Sequence, residues 1–285
     1  MRLSDPTRTH TPSDTPASGR SSYDDVLAEV ILNDWVNAEY KRIRLAAPYP
    51  AATARAGQFF NIECPAAGED NPYLRRPMST YLADPKAGEV EFLYKVTGAG
   101  TRGLATLEPG MRTRLLGPLG NGFVLEPAWR HIVVLGRGVG LATLAPLAEL
   151  AAEAGIGVTA LISARGREQV VSLDRFTAIG ARTEVILDSE GTSGVETVEA
   201  MLRGYRHEGR ADAFFTCGSN RLMLVMQKLA RELGIPGQVA MEQQMACGLG
   251  MCFCCVRNFH VDGETISRRV CWDGPVFDLN EAVSW

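Results

Sequence analysis

The run 131-HIVVLGRGVGLATLAPLAELAAEAG-155 constrains the fold more than any other stretch of this chain. A fully apolar strand, 131-HIVVLG-136, ends in the glycine-rich turn 136-GRGVG-140 and opens into an Ala/Leu-rich helical segment. Strand, glycine turn and helix in that order begin a βαβ unit and therefore a mostly parallel sheet. The alternation continues downstream. Strands are expected at 157-GVTALISA-164, 183-TEVILD-188 and 211-ADAFFTCG-218, with helical segments 194-GVETVEAMLRGY-205 and 220-NRLMLVMQKLARELG-234 between them. This α/β domain is expected over residues 128–240.

The preceding residues follow a different pattern. Short β-like runs such as 40-YKRIRLAA-47, 58-QFFNIEC-64, 89-EVEFLYKV-96 and 112-RTRLLGP-118 are separated by Pro- and Gly-containing gaps. That spacing predicts a small barrel or sandwich over residues 23–127. The fold class is therefore α/β plus all-β. A length of 285 residues accommodates two or three such domains. Hydrophobic residues make up 46% and charged residues 22%, with a net charge of −4. With no basic stripe, nucleic acid is not expected as a partner. No run of 18 apolar residues occurs, so no membrane insertion is expected. The first 22 residues are rich in Pro, Ser, Thr and Asp and lack the apolar core of a secretory signal. They read as a disordered tail. Seven cysteines without such a signal point to a reducing, cytoplasmic setting, where clustered thiols are metal ligands or redox groups.

Five of those seven fall in 247-CGLGMCFCCVRNFHVDGETISRRVC-271. Cys247, Cys252, Cys255 and Cys271 give C-x4-C-x2-C-x15-C. Zinc ribbons use two short C-x2-C pairs. One short pair preceded by a cysteine in C-x4-C instead resembles the loop that wraps a plant-type [2Fe–2S] cluster, though the fourth cysteine follows at a shorter distance, and Gly248 and Gly250 give the loop a flexible backbone. The spacing favours iron–sulfur over zinc. Cys254 is surplus and reads as a small buried side chain rather than a substitute ligand. Cys64 reads as core. Cys217 ends a strand at the carboxyl edge of the parallel sheet, where ligands bind in open α/β folds, and reads equally as a cofactor neighbour or as a buried side chain without function.

Four further stretches could hold phosphates. Gly136, Gly138 and Gly140 form either a phosphate cradle or a tight strand–helix packing turn. At the end of the next strand, 161-LISARGR-167 offers Ser163, Arg165 and Arg167, which suit a 2′-phosphate or a solvated turn. The segment 75-RRPMST-80 is expected at the end of a loop and supplies a guanidinium and a hydroxyl. The turn 98-GAGTRGLATL-107 reads as the start of a short helix.

Taken in order, 75-RRPMS-79, 98-GAGT-101, 116-LGPLGNGF-123, 133-VVLGRGVGLATLAPL-147, 216-TCGSN-220, 242-EQQMACGLGMCFCC-255 and 271-CWDGPVF-277 closely resemble the electron-transfer subunits of class 1B dihydroorotate dehydrogenases. These form a branch of the ferredoxin-reductase superfamily. The resemblance implies an N-terminal flavin-binding β-barrel, a ferredoxin-reductase-like nicotinamide-dinucleotide domain, and a C-terminal [2Fe–2S] segment over residues 241–285. It implies that Arg76, Pro77, Met78 and Ser79 contact FAD, with Ser79 near the reactive edge, and that Gly98, Gly100 and Thr101 hold its pyrophosphate. It implies that Gly136, Gly138, Gly140, Cys217 and Gly218 line an NAD(P)H site, and that the four spaced cysteines bind the cluster. Arg137, the segment 187-LDSEGTSG-194, Ser219 and Cys254 depart from the family pattern.

No acid–base pair is expected, since hydride transfer is chemistry the cofactors carry. The four histidines, His10, His131, His207 and His260, are scattered. The resemblance implies an NAD(P)H-linked oxidoreductase subunit that exchanges electrons with a catalytic partner, an FMN-containing, dihydroorotate dehydrogenase-like flavoprotein. Trp272, Phe277 and Trp285 are aromatic candidates for that interface, with core packing explaining Trp272 and Phe277 nearly as well. Two alternatives differ from this expectation: the reductase component of another flavin-dependent system, and a zinc-stabilised binding module without enzymatic activity.

Overall fold

A computed structural model describes residues 23–284, so the expected tail over residues 1–22 and Trp285 lie outside the described residues. The first unit begins with β1 (Asp24–Trp35) and β2 (Tyr40–Ala46). In β1, Ala28 and Val30 are buried while Leu27 and Ile31 face solvent, the period-two pattern of a half-buried strand. The Pro-rich gap after β2 forms a short helix, α1 (Pro48–Thr53), since proline suits a first helical turn. There follow β3 (Phe59–Ile62), β4 (Arg76–Ser79), β5 (Leu82–Asp84), β6 (Glu89–Lys95), α2 (Ala99–Ala105) and β7 (Arg112–Leu119). The seven strands pair in the order β4-β3-β7-β1-β2-β6-β5, every pair antiparallel. The sheet is a half-barrel around Phe60, Phe92, Tyr94, Ile43 and Leu115.

One expectation for this unit is corrected. The segment 75-RRPMST-80 does not end a loop: Arg76–Ser79 is itself strand β4, with Ser79 opposite Phe59 and Pro77 opposite Asn61. β4 lies at the sheet edge, where a proline without an N–H leaves no ladder bond unmade.

The second unit contains β8 (His131–Arg137), α3 (Gly140–Glu153), β9 (Gly157–Ala164), α4 (Leu173–Ala178), β10 (Arg182–Leu187), α5 (Val195–His207), β11 (Ala213–Cys217), α6 (Asn220–Leu233) and β12 (Gly237–Ala240). These strands are parallel in the order β10-β9-β8-β11-β12. The order reverses direction between β8 and β11, which opens a crevice beyond their carboxyl ends. After β12 come the hairpin β13 (Val256–Val261) and β14 (Glu264–Arg269), then α7 (Val270–Asp273) and β15 (Val276–Asp278). β15 returns to the parallel sheet and pairs antiparallel with β12, so the chain beyond the last cysteine is stitched into the α/β core.

Side chains join the two large units. The Arg175 guanidinium stacks 4.2 Å from the Tyr81 ring centroid, reaches the Tyr81 carbonyl and pairs with Glu149. Gln238 bonds the Val124 backbone in both directions, at 3.0 and 2.7 Å.

Candidate redox centre

The spacing of the cysteine loop acquires a structural reason. The ladder of β13 and β14 closes with Val256 opposite Arg269, so the positions flanking the hairpin are adjacent. Cys255 Sγ and Cys271 Sγ are 3.2 Å apart and buried. Cys247 is half-buried and Cys252 exposed on the preceding loop. Cys247, Cys252, Cys255 and Cys271 would hold an iron–sulfur cluster, whose ligands are cysteine thiolates.

The backbone around the sulfurs fits a cluster. The Leu249 N–H donates to Cys247 Sγ at 3.3 Å, the Gly250 N–H to Cys271 Sγ at 3.2 Å, and the Cys271 N–H to Cys255 Sγ at 3.4 Å. Such donors stabilise thiolate and sulfide charge and help set a cluster's potential. Burial raises the Cys247 thiol, but the N–H groups of Leu249, Cys252 and Met251 and the Cys252 side chain outweigh it and bring the value down to about 7. Burial, then the neighbouring Cys255, push Cys271 up to about 12. Metal binding supplies the positive charge that deprotonates such a ligand.

Cys254 is a second correction: it is exposed, not buried, and its sulfur lies 3.8 Å from the Gln244 carbonyl oxygen. The backbone at Phe253, with φ of 56°, turns Cys254 outward while Cys255 goes inward. The expected aromatic anchors also change. Phe277 is core, stacked at 4.3 Å on Phe259, and Trp272 is partly buried. The exposed apolar residues beside the cysteines are instead Met251 and Phe253.

On the half-barrel, Arg76, Pro77, Met78 and Ser79 are all half-buried on β4. The Arg76 guanidinium lies directly over Gly100 in the first turn of α2, where a Cβ would stand 2.4 Å from Arg76 Nε. The Thr101 hydroxyl accepts from the N–H groups of Thr97 and Gly98 at 2.9 and 3.0 Å, so it shapes the turn that presents Gly98 and Gly100. The buried hydroxyl of Thr80, next to Ser79, has no partner among the described residues. A guanidinium on a glycine turn and an orphaned buried hydroxyl suit a dinucleotide flavin laid along β4.

In the crevice beyond β8 and β11, α3 begins at Gly140 without a side-chain cap, and the Leu141 and Ala142 N–H groups of its first turn donate to the Gly138 and Val139 carbonyls at 3.1 and 2.9 Å. A Cβ on Gly140 would stand 2.4 Å from the Cys217 carbonyl oxygen, so Gly140 also permits tight packing of this helix on β11. The close approach is the packing role expected of a glycine in this turn. Gly136 packs on Leu141 and Leu144, and Gly138 lies under the Tyr40 hydroxyl. Cys217 is buried, which pushes its thiol up and keeps it neutral; the next residue, Gly218, packs on the Arg137 carbonyl. At α6, Ser219 caps the helix by accepting from the Leu222 N–H at 3.3 Å.

The polar groups offered for a 2′-phosphate are engaged within the chain. Ser163 accepts from Arg137 at 2.9 Å, Arg165 pairs with Glu39 at 2.5 Å, and Arg167 pairs with Glu190 at 2.9 Å. Arg137 also forms a two-pronged ion pair with Asp188, at 3.2 and 2.5 Å. Sequence reading missed the contacts of Asp188, just beyond β10, and of Asn61, inside β3, because their partners Arg137 and Cys247 are remote in the chain.

A half-barrel with a flavin-type edge, an open α/β crevice and a paired-thiol loop define a ferredoxin-reductase-like electron-transfer protein. Residues 242–283 match the family model for the iron–sulfur cluster binding domain of dihydroorotate dehydrogenase B. The dihydroorotate dehydrogenase B (NAD(+)) electron transfer subunit of Desulforamulus reducens is 32% identical over 81% of this chain and 87% of its own. That of Bacillus caldolyticus is 35% identical over 80% and 86%. A solved chain of an NADH-dependent reduced ferredoxin–NADP oxidoreductase, studied for flavin-based electron bifurcation, superposes with a TM-score of 0.75 at 28% identity, covering 90% of this chain and 89% of that one. The chain belongs to the family of dihydroorotate dehydrogenase B electron transfer subunits. Among the described residues no helix is long and apolar enough to cross a membrane.

Proposed function

We propose that this chain carries electrons between NAD(H) and the FMN-containing catalytic subunit of a dihydroorotate dehydrogenase, in the cytoplasm. When bound, FAD supplies two-electron exchange with nicotinamide and a [2Fe–2S] cluster supplies one-electron carriage. The observation that carries this reading is the gathering of Cys255 Sγ and Cys271 Sγ at 3.2 Å, with the N–H groups of Leu249, Gly250 and Cys271 directed at the loop sulfurs.

The residues divide the work by place. Residues 23–127 form the flavin domain, in which Arg76 and the turn Gly98–Gly100–Thr101 hold the pyrophosphate, and Pro77, Met78 and Ser79 border the ring. Residues 128–240 form the dinucleotide domain, in which the turn Gly136–Gly138–Gly140 and the first turn of α3 take the phosphates. Cys217 and Gly218 border the nicotinamide, where a neutral thiol adds no charge to the hydride path. Residues 241–285 hold the cluster through Cys247, Cys252, Cys255 and Cys271. The exposed Met251 and Phe253 beside them form the face offered to the catalytic subunit.

Anaerobic co-purification tests the reading. The native complex should yield a flavoprotein that oxidises dihydroorotate and reduces NAD(+) only when this chain is present. A second reading, the reductase component of another flavin system, draws on the likeness to the bifurcating oxidoreductase chain, which spans nearly the whole of both chains. A co-purified partner without dihydroorotate activity would favour it.

A further inference from the structure

Asn61 sits on β3, opposite Pro77 of the flavin-edge strand β4, and is 1% exposed. Residues opposite one another in a ladder present side chains to the same face. From that face Asn61 Nδ2 donates to the carbonyl oxygen of Cys247 at 3.4 Å, across 186 positions of chain. The carbonyl fixes the amide's orientation, because only the nitrogen side can donate. Gly248 is shaped to this contact: its φ is +71°, and a Cβ there would stand 2.3 Å from Asn61 Nδ2. Asn61 Oδ1, on the other side of the amide, is buried with no partner among the described residues.

A half-satisfied amide is an expensive core residue. A buried polar atom left unpaired costs about 1–3 kcal/mol. The surroundings are apolar: Leu119 also lies against Gly248, and Asn61 is opposite Leu116 in the β7 ladder. A leucine would fill such a position without the penalty. Packing alone therefore does not account for an amide here.

We infer that Asn61 is a positioning residue for electron transfer, tying the flavin-edge sheet to the Cys247 arm of the cluster loop. Its backbone is laddered to β4 and its side chain ends on the peptide of a cluster ligand. It thereby fixes the separation of the two redox groups and supplies a hydrogen-bonded connection between them. Asn61 itself gains and loses neither proton nor electron. This role rests on the flavin-to-cluster relay proposed above. A parent protein lacking flavin or iron would defeat that relay, whereas the variants below test Asn61 alone.

The experiment uses Asn61→Leu and Asn61→Asp in the full chain, reconstituted anaerobically with FAD, iron and sulfide. The first fills the space without a donor; the second keeps the amide's shape and offers only acceptors. Melting temperature and flavin content check the fold. NADH should reduce the flavin of both variants at the parent rate, while rapid-freeze EPR shows their clusters reduced about tenfold or more slowly, the scale of lost outer contacts at metal centres. Loss of iron from both variants at unchanged flavin content and melting temperature would also support the anchor, since each variant preserves packing. A Leu variant that loads iron and reduces its cluster at the parent rate overturns the proposal and leaves Asn61 a packing residue.

Discussion

Cys255 Sγ stands 3.2 Å from Cys271 Sγ although 16 positions separate the two residues. The intervening chain is almost entirely the β13–β14 hairpin, paired from Val256 with Arg269 to Val261 with Glu264. An antiparallel hairpin returns to its own start, so the long gap costs no distance. The same fold-back puts the Cys271 N–H on Cys255 Sγ and leaves Cys254 outside.

That asymmetry between neighbours gives the first prediction. Cys254→Ala should retain the parent's iron and visible absorption. Serine at position 247, 252, 255 or 271 should lower iron content about tenfold or more, as a lost ligand does. Iron retained in Cys255→Ala but lost in Cys254→Ala would reverse the assignment.

Gly100→Ala should weaken flavin binding with little change in melting temperature. The added methyl meets the Arg76 side chain rather than backbone, so the guanidinium is displaced and the sheet is not. Losing one charged hydrogen bond to phosphate corresponds to about 1.5–3 kcal/mol, or about tenfold or more in affinity. Fluorescence titration of the apoprotein with FAD measures it, and parent-like affinity would remove Arg76 from the site.

NADH should reduce the flavin at lower concentration than NADPH. Arg165 and Arg167, the cations available for a 2′-phosphate, are paired with Glu39 and Glu190. The double variant Glu39→Gln, Glu190→Gln should release both and narrow the preference. Stopped-flow reduction with each dinucleotide checks this, and an unchanged ratio would place the 2′ end of the ribose elsewhere.

The Arg137–Asp188 pair has a pH signature. Hydrogen bonds from Arg137 and then Ser193 hold the Asp188 carboxyl below its usual 3.8. A depressed carboxylate contributes stability that is present above the unfolded value and lost as pH falls through the folded one. Asp188 is 43% exposed at its side chain, so screening keeps the contribution to about 1 kcal/mol or less. Asp188→Asn should therefore melt slightly below the parent at neutral pH, with the gap closing below about pH 4. A gap that widens in acid would contradict the assignment.

Much of this organisation is legible in the sequence because it is written locally. The apolar strand 131–136 and its glycine turn became β8 and α3, and the cysteine spacing announced an iron–sulfur loop. What stayed hidden depends on contacts made across the chain. Arg76–Ser79 has little strand character of its own and becomes β4 by pairing with β3. Asn61 looks like one polar residue in a strand, and its partner is 186 positions away. Arg165 and Arg167 look like free cations until the fold brings Glu39 and Glu190 to them. The outward turn of Cys254 follows from the positive φ of Phe253, a residue type that rarely adopts one.

Anaerobic titration of the purified chain with NADH, followed by optical and EPR spectroscopy, tests the central claim most directly. The account predicts flavin and iron in the ratio of one FAD to one [2Fe–2S] cluster, with NADH bleaching the flavin and producing the EPR signal of a reduced [2Fe–2S] centre. A colourless, zinc-containing protein, or a flavoprotein whose iron centre NADH leaves oxidised, would contradict it.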